Sequence, residues 1–167
     1  MDEQRSKLLD EIWTAQDTAY DLMEEYDALP HYYGQNVLYQ AEGTIINLIG
    51  SHPDITITDL GEMLNRTSSA CSQIVRKLRG KGWVEQIRNP ENNRQYNLRL
   101  TESGKEVYEA HLQFNRECQA ETYRLLAHFT KEELAAHLAV QKKINEAYRE
   151  DIQRSNECLY GRKRELS

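Results

Sequence analysis

Proline and glycine are scarce in this chain of 167 residues, with 3 and 8 copies, and so few turn-formers argue against a loop-rich sandwich or barrel. Cysteine is equally thin. Cys71, Cys118 and Cys158 are odd in number and far apart, which excludes a disulfide framework and the CxxC spacing of a metal site. Each is read as a small buried or half-buried hydrophobe. No apolar run reaches the length that spans a membrane, and the opening MDEQRSKLLDE is acidic where a secretory signal would be basic and then apolar. The reading is a cytoplasmic protein without a membrane partner. No Ser/His/Asp or Cys/His grouping, Gly-rich phosphate loop or carboxylate pair stands at a usable spacing, so an enzyme is not expected, nor a cofactor or a resident metal.

Positive charge is also in deficit. The net charge is −6, which at first excludes a nucleic-acid partner. Its distribution reverses that reading. Residues 1–65 carry thirteen acids against Arg5 and Lys7, a balance of −11, whereas residues 66–100 carry eight bases against Glu85 and Glu91, a balance of +6. The remaining residues sum to −1. One basic block in an acidic chain is the footprint of a protein that meets a polyanion with one face.

What is present is mostly helical periodicity. Leu8, Ile12, Ala15, Ala19, Leu22, Tyr26 and Leu29 fall at three-four spacing on one long helix that Pro30 stops. After the joint PHYYGQN, Leu38, Ala41, Ile45 and Leu48 predict a second helix over about 37–49, closed by Gly50 and Pro53. ITIT reads as a minimal strand, with Thr58 capping a brief helix that turns Leu60 and Leu64 inward. A turn at residues 65–67 leads into SSACSQIVRKLRGKG, where Cys71, Ile74, Val75 and Leu78 form the buried side, and two short helices so joined make a helix-turn-helix.

WVEQIR and RQYNLRL then predict a hairpin around the tip NPENN, with Tyr96, Leu98 and Leu100 on one face of the second arm. From Thr101 a long helix carries Val107, His111, Phe114, Cys118, Leu125 and Phe129, and TKEE at Thr130 has the capping-box spacing that opens a last helix. The outer helices are too amphipathic to stand alone, and the economical solution is a symmetric homodimer.

On the third helix Ser69, Ser72, Gln73 and Arg76 project away from the buried side, and these are residue types that pair with base edges or phosphates. A hairpin tip without apolar residues has no core to join. It projects, and its arginines suit a phosphate backbone or a narrow minor groove. The bland alternatives are a solvated helix face and a hairpin whose arginines pair with Glu85 or Glu91.

The stretch LGEMLNRTSSACSQIVRKLRGKGWVEQIRNPENNRQYNLRLTESG resembles the winged-helix core of the MarR family of bacterial transcriptional regulators. The resemblance is carried by Leu60 and Leu64, by Ser69 and Ser72, and by the step Lys81, Gly82, Trp83 and Val84. It continues through Asn89, Pro90, Asn92 and Arg94 in the wing to Leu100, Thr101 and Gly104 at the next helix start. It implies a mainly α (α+β) fold with a winged helix-turn-helix core over 37–100, an N-terminal dimerisation helix and joint over 1–36, and C-terminal dimerisation helices over 101–167. It implies double-stranded DNA with a palindromic operator as partner, with a recognition helix over 68–80 in the major groove and a wing over 88–95. The candidate DNA-contacting residues are Ser68, Ser69, Ser72, Gln73, Arg76, Arg79, Arg88, Asn92 and Arg94.

Where the family usually has aspartates in the wing, this chain has Asn89 and Asn92. The ion pair that would steady Arg94 becomes at most a neutral-to-charged hydrogen bond, and a looser wing is expected. Family members commonly repress and release DNA on binding a small aromatic or phenolic effector, for which Tyr32, Tyr33 and Tyr39 are the candidate lining, against a bland reading as core and interface residues. Zinc-sensing relatives bring His31, Glu42 and His111 into consideration, and peroxide-sensing relatives use a cysteine that the first helix here lacks. A winged-helix module meeting an acidic protein is the other alternative.

Overall fold

The computed structural model describes residues 2–89 and 95–165, with side chains as far as Glu157. The chain divides into two compact units, residues 1–117 and 118–167.

In the first unit, α1 (Glu3–Ala28) is capped by Asp2 and gives way at Leu29, the residue before Pro30, because proline disfavours helical geometry in its predecessor. A short antiparallel hairpin follows, β1 (His31–Tyr33) with β2 (Asn36–Leu38), in the register His31 to Leu38 and Tyr33 to Asn36. α2 (Gln40–Ser51) therefore begins three residues later than the periodicity suggests. Val37 and Leu38 belong to the hairpin, and the Glu42 carboxylate accepts the Tyr39 N–H at 3.1 Å to close the helix start.

α3 (Ile57–Leu64) is capped by Thr56, not Thr58. Thr56 and Asp59 satisfy each other reciprocally, Asp59 N–H to Thr56 Oγ1 at 3.3 Å and Thr56 N–H to Asp59 Oδ2 at 2.8 Å. ITIT is thus no strand of its own. Ile55 O accepts Leu98 N–H at 2.8 Å and Thr56 makes one bridge to Asn97 before the helix starts. Asn65, in the left-handed region at φ 50°, ends α3 and turns the chain toward Thr67, whose hydroxyl caps α4 (Ser68–Gly80).

β3 (Val84–Arg88) and β4 (Tyr96–Leu100) form the second hairpin, with Val84 opposite Leu100 and Arg88 opposite Tyr96. The expected alternation of the second arm is corrected. Asn97 is buried and Tyr96 exposed, because the bridge to Thr56 covers Asn97, whose side-chain Oδ1 accepts Asn89 Nδ2–H at 2.9 Å. Trp83 precedes β3 and is buried with Val84, so the first arm does not alternate like a one-faced strand. α5 (Glu102–Leu125) is capped by Thr101, which accepts Gly104 N–H at 3.0 Å. The core joins these elements through fully buried Leu38, Ile45, Ile46, Leu60, Cys71, Val75, Leu78, Leu98 and Val107.

The second unit holds the end of α5 and α6 (Lys131–Glu165). A turn at residues 126–129 puts Phe129 outside α5, and Thr130 with Glu133 forms the expected capping box through three hydrogen bonds of 2.8–3.2 Å. Cys118 is exposed, which corrects its reading as a buried or half-buried residue, whereas Cys71 is buried.

Candidate nucleic-acid interface

α4 packs against both α2 and α3, and its apolar side decides which residues look outward. Cys71, Val75 and Leu78 are buried. Ser68, Ser69, Gln73, Arg76 and Arg79 are exposed and Ser72 half-buried. The three-four spacing of the buried positions forces this division, because residues between them lie about 100° around the helix. The predicted reading residues Ser69, Gln73 and Arg76 thus share one accessible face. No acidic residue lies in the first turn of α4, and Lys77 and Arg79 occupy its last.

Arg79 is set apart from that group by a contact sequence spacing did not show. Its Nη1–H donates to the neutral Gln86 Oε1 on β3 at 2.7 Å, which holds the guanidinium toward the hairpin. Arg88 ends β3 and is exposed. Asn89 continues the hairpin with its N–H on Gln95 O at 3.0 Å. Asn92 and Arg94, with the expected looseness of the wing tip, lie outside the described residues. Arg99 is drawn away, forming an ion pair with Asp54 at 2.7 Å that holds the Asp54 carboxyl below its ordinary range.

The three tyrosines do not come together. Tyr32 is 70% exposed and Tyr39 49% exposed, while Tyr33 turns inward, its hydroxyl 2.6 Å from His111 Nδ1. Neighbours in a strand face opposite ways, which separates Tyr32 from Tyr33. Around Tyr33 lies an aromatic cluster the sequence pattern did not show, in which His31 stands edge-on to Tyr26 and Phe114, and Tyr33 edge-on to Phe114. Glu42 is not part of it, being engaged by Lys81 at 2.7 Å. Among the described residues no group of three or more His, Cys, Asp or Glu side chains is placed to hold a metal ion.

Burial, with the neighbouring charge of His31 adding to it, pulls the His111 imidazole below its ordinary value. The folded state therefore takes up that proton later than the unfolded chain does. Stability from this group is complete above the unfolded value of about 6.5 and is lost as pH falls through it. Thermal midpoints at pH 7.5 and 5.5 should drop more for the wild type than for His111→Gln, and equal drops would remove His111 from the pH response.

Two short helices joined by a tight turn, followed by a two-stranded hairpin, define a winged helix-turn-helix protein. Residues 38–96 match the model of the MarR family. An uncharacterized HTH-type transcriptional regulator, YhjH of Bacillus subtilis (strain 168), is 25% identical over 97 residues, which cover 58% of this chain and 55% of that protein. The chain thus spans little more than half the length of that relative. A MarR/EmrR family transcriptional regulator from Acinetobacter sp. ADP1 is 27% identical, with a TM-score of 0.59 over 85% of this chain and 98% of that one. FabT of Streptococcus pneumoniae, crystallised in complex with DNA, shares the fold at 21% identity and a TM-score of 0.64, over 89% of this chain and 99% of that one.

Proposed function

We propose that the protein is a homodimeric, sequence-specific DNA-binding transcriptional regulator, a repressor released by a small aromatic ligand. Residues 37–100 supply the DNA-binding core, and residues 1–36 and 101–167 the dimer contacts. α4 enters the major groove and presents Ser69, Gln73 and Arg76 to base edges, with Ser68, Ser72 and Arg79 beside them. The β3–β4 hairpin carries Arg88, Asn92 and Arg94 to the backbone or minor groove. The observation that carries this reading is the exposed polar and basic face of α4 within the basic block of an otherwise acidic chain.

The dimer is supported by α1, which runs for 26 residues with none buried. Leu8, Leu22 and Tyr26 are 53%, 61% and 41% exposed. An isolated amphipathic helix in water gains too little from propensity to hold such a face open, and a second copy of the chain is the occupant that symmetry provides. Effector binding is supported by the aromatic rings gathered around Tyr33, with Tyr32, Tyr33 and Tyr39 as its candidate lining.

Selection of bound duplexes from random DNA, followed by titration against salt, tests the reading. With on the order of four phosphate contacts per monomer, log K should fall against log salt with a slope near −7 for the dimer. Half-site centres should lie about one helical turn apart. A flat salt response with no enriched palindrome would reject DNA and leave an acidic protein as the partner of the basic face.

A further inference from the structure

Lys81 follows α4 directly and reaches back across the fold. Its ammonium donates to Glu42 Oε2 at 2.7 Å and to Val37 O at 2.9 Å, and sits 4.7 Å over the Trp83 ring. The Glu42 side chain is only 8% exposed, and it also accepts the Tyr39 N–H at the start of α2. The carboxylate lies in the first turn of α2 and the ammonium belongs to the C-cap residue of α4, so each charge complements the dipole of its own helix while pairing with the other.

The residues after Lys81 extend the same junction. Gly82 O accepts the Thr101 hydroxyl at 2.6 Å, and Trp83 O accepts Thr101 N–H at 3.1 Å. On the other side of Glu42, Gly43 lies so close to the His111 ring that a Cβ there would be 2.8 Å from Nε2. The ion pair thus ties the end of α4 to β2 and the start of α2, and the two residues after Lys81 tie it to the start of α5. A buried carboxylate that loses its only cation is strongly destabilised, so the pair is held together or its surroundings rearrange.

We propose that Lys81 and Glu42 form the strut that positions the recognition helix, so that the joint sets DNA affinity through this pair. The proposal rests on the reading of α4 as the DNA-contacting helix. Neither residue is a base reader. Lys81 acts through the orientation of α4, and Glu42 acts on Lys81.

The sign of one variant separates this role from a direct phosphate contact by Lys81. If Lys81 met DNA itself, Glu42→Gln would free its charge and keep or raise affinity. A strut requires the opposite. Glu42→Gln and Lys81→Met should each weaken binding to the selected duplex by roughly tenfold or more, and the double variant should be no worse than the weaker single one.

Amide hydrogen exchange without DNA gives the second reading, and the isosteric Glu42→Gln keeps the test valid should Lys81→Met not fold. The N–H groups of Lys81, Gly82 and Trp83, bonded to Lys77 O, Arg79 O and Leu78 O, should exchange faster in the variants. Leu60 N–H, bonded to Thr56 O, should not change. Wild-type affinity or better in Glu42→Gln overturns the proposal. If the wild type binds no duplex, the DNA reading falls separately, and exchange decides the strut: unchanged rates at 81–83 reject it, and rates raised there alone uphold it.

Discussion

Gly104→Ala should lower the thermal midpoint by roughly 6–12 °C, although alanine is normally the better helix former. A Cβ at position 104 would lie 1.9 Å from Trp83 O and 2.8 Å from the Trp83 carbonyl carbon. Both atoms are backbone, so no rotamer change relieves the clash. Moving them breaks the Thr101 N–H bond to Trp83 O and disturbs the start of β3 and of α5 together. Overpacking of this severity costs about 3 kcal/mol, and about 2–4 °C per kcal/mol is the usual conversion for a chain of this size. The control is Gly80→Ala, since a Cβ there meets nothing within 4 Å and the change should be neutral or stabilising by up to about 1 kcal/mol. Equal midpoints for Gly104→Ala and the wild type would mean that the α5 start does not sit on Trp83 as described.

Replacing Gln73 or Arg76 by alanine should have the largest effect on DNA affinity, and the loss should fall on particular base pairs. A side chain pairing with a base edge contributes roughly 1–3 kcal/mol of discrimination. A symmetric dimer uses each residue twice, so the total is roughly 2–6 kcal/mol, or about 30-fold to 10⁴-fold in affinity. Arg94→Ala should differ in kind, weakening all duplexes alike and flattening the salt slope by roughly one contact per monomer. Binding of the variants to a panel of single base-pair substitutions makes the distinction. Uniform losses for Gln73→Ala and Arg76→Ala would remove base reading from α4.

Much of the proposed DNA-binding face was legible from sequence because its signals are local. The buried side of α4 follows from three-four spacing within 13 residues, the caps at Thr101 and Thr130 precede periodic runs, and the hairpin strands flank turn-forming residues. The β1–β2 hairpin was not legible. Its strands are three residues each, too short for alternation to show, and Val37 and Leu38 fit a helical stripe equally well. ITIT offers two threonines as caps, and Thr56 is set apart from Thr58 by its reciprocal bonds with Asp59 and by its bridge to Asn97. The same bridge buries Asn97, a polar residue that pattern reading turns outward.

The effector reading shows the limit most clearly. Three tyrosines within eight residues suggested a shared lining, but a strand alternates its side chains and only Tyr33 faces His111. Glu42 and Lys81, 39 positions apart, carry no mark of each other in the chain. By itself the sequence determined the order of the helices, the outward face of α4 and the placement of positive charge, because each depends on neighbours within a few turns. Only the tertiary structure decided which polar groups are buried and what they bond, since an interior carboxylate or amide takes its partner from wherever the packed core brings one within reach.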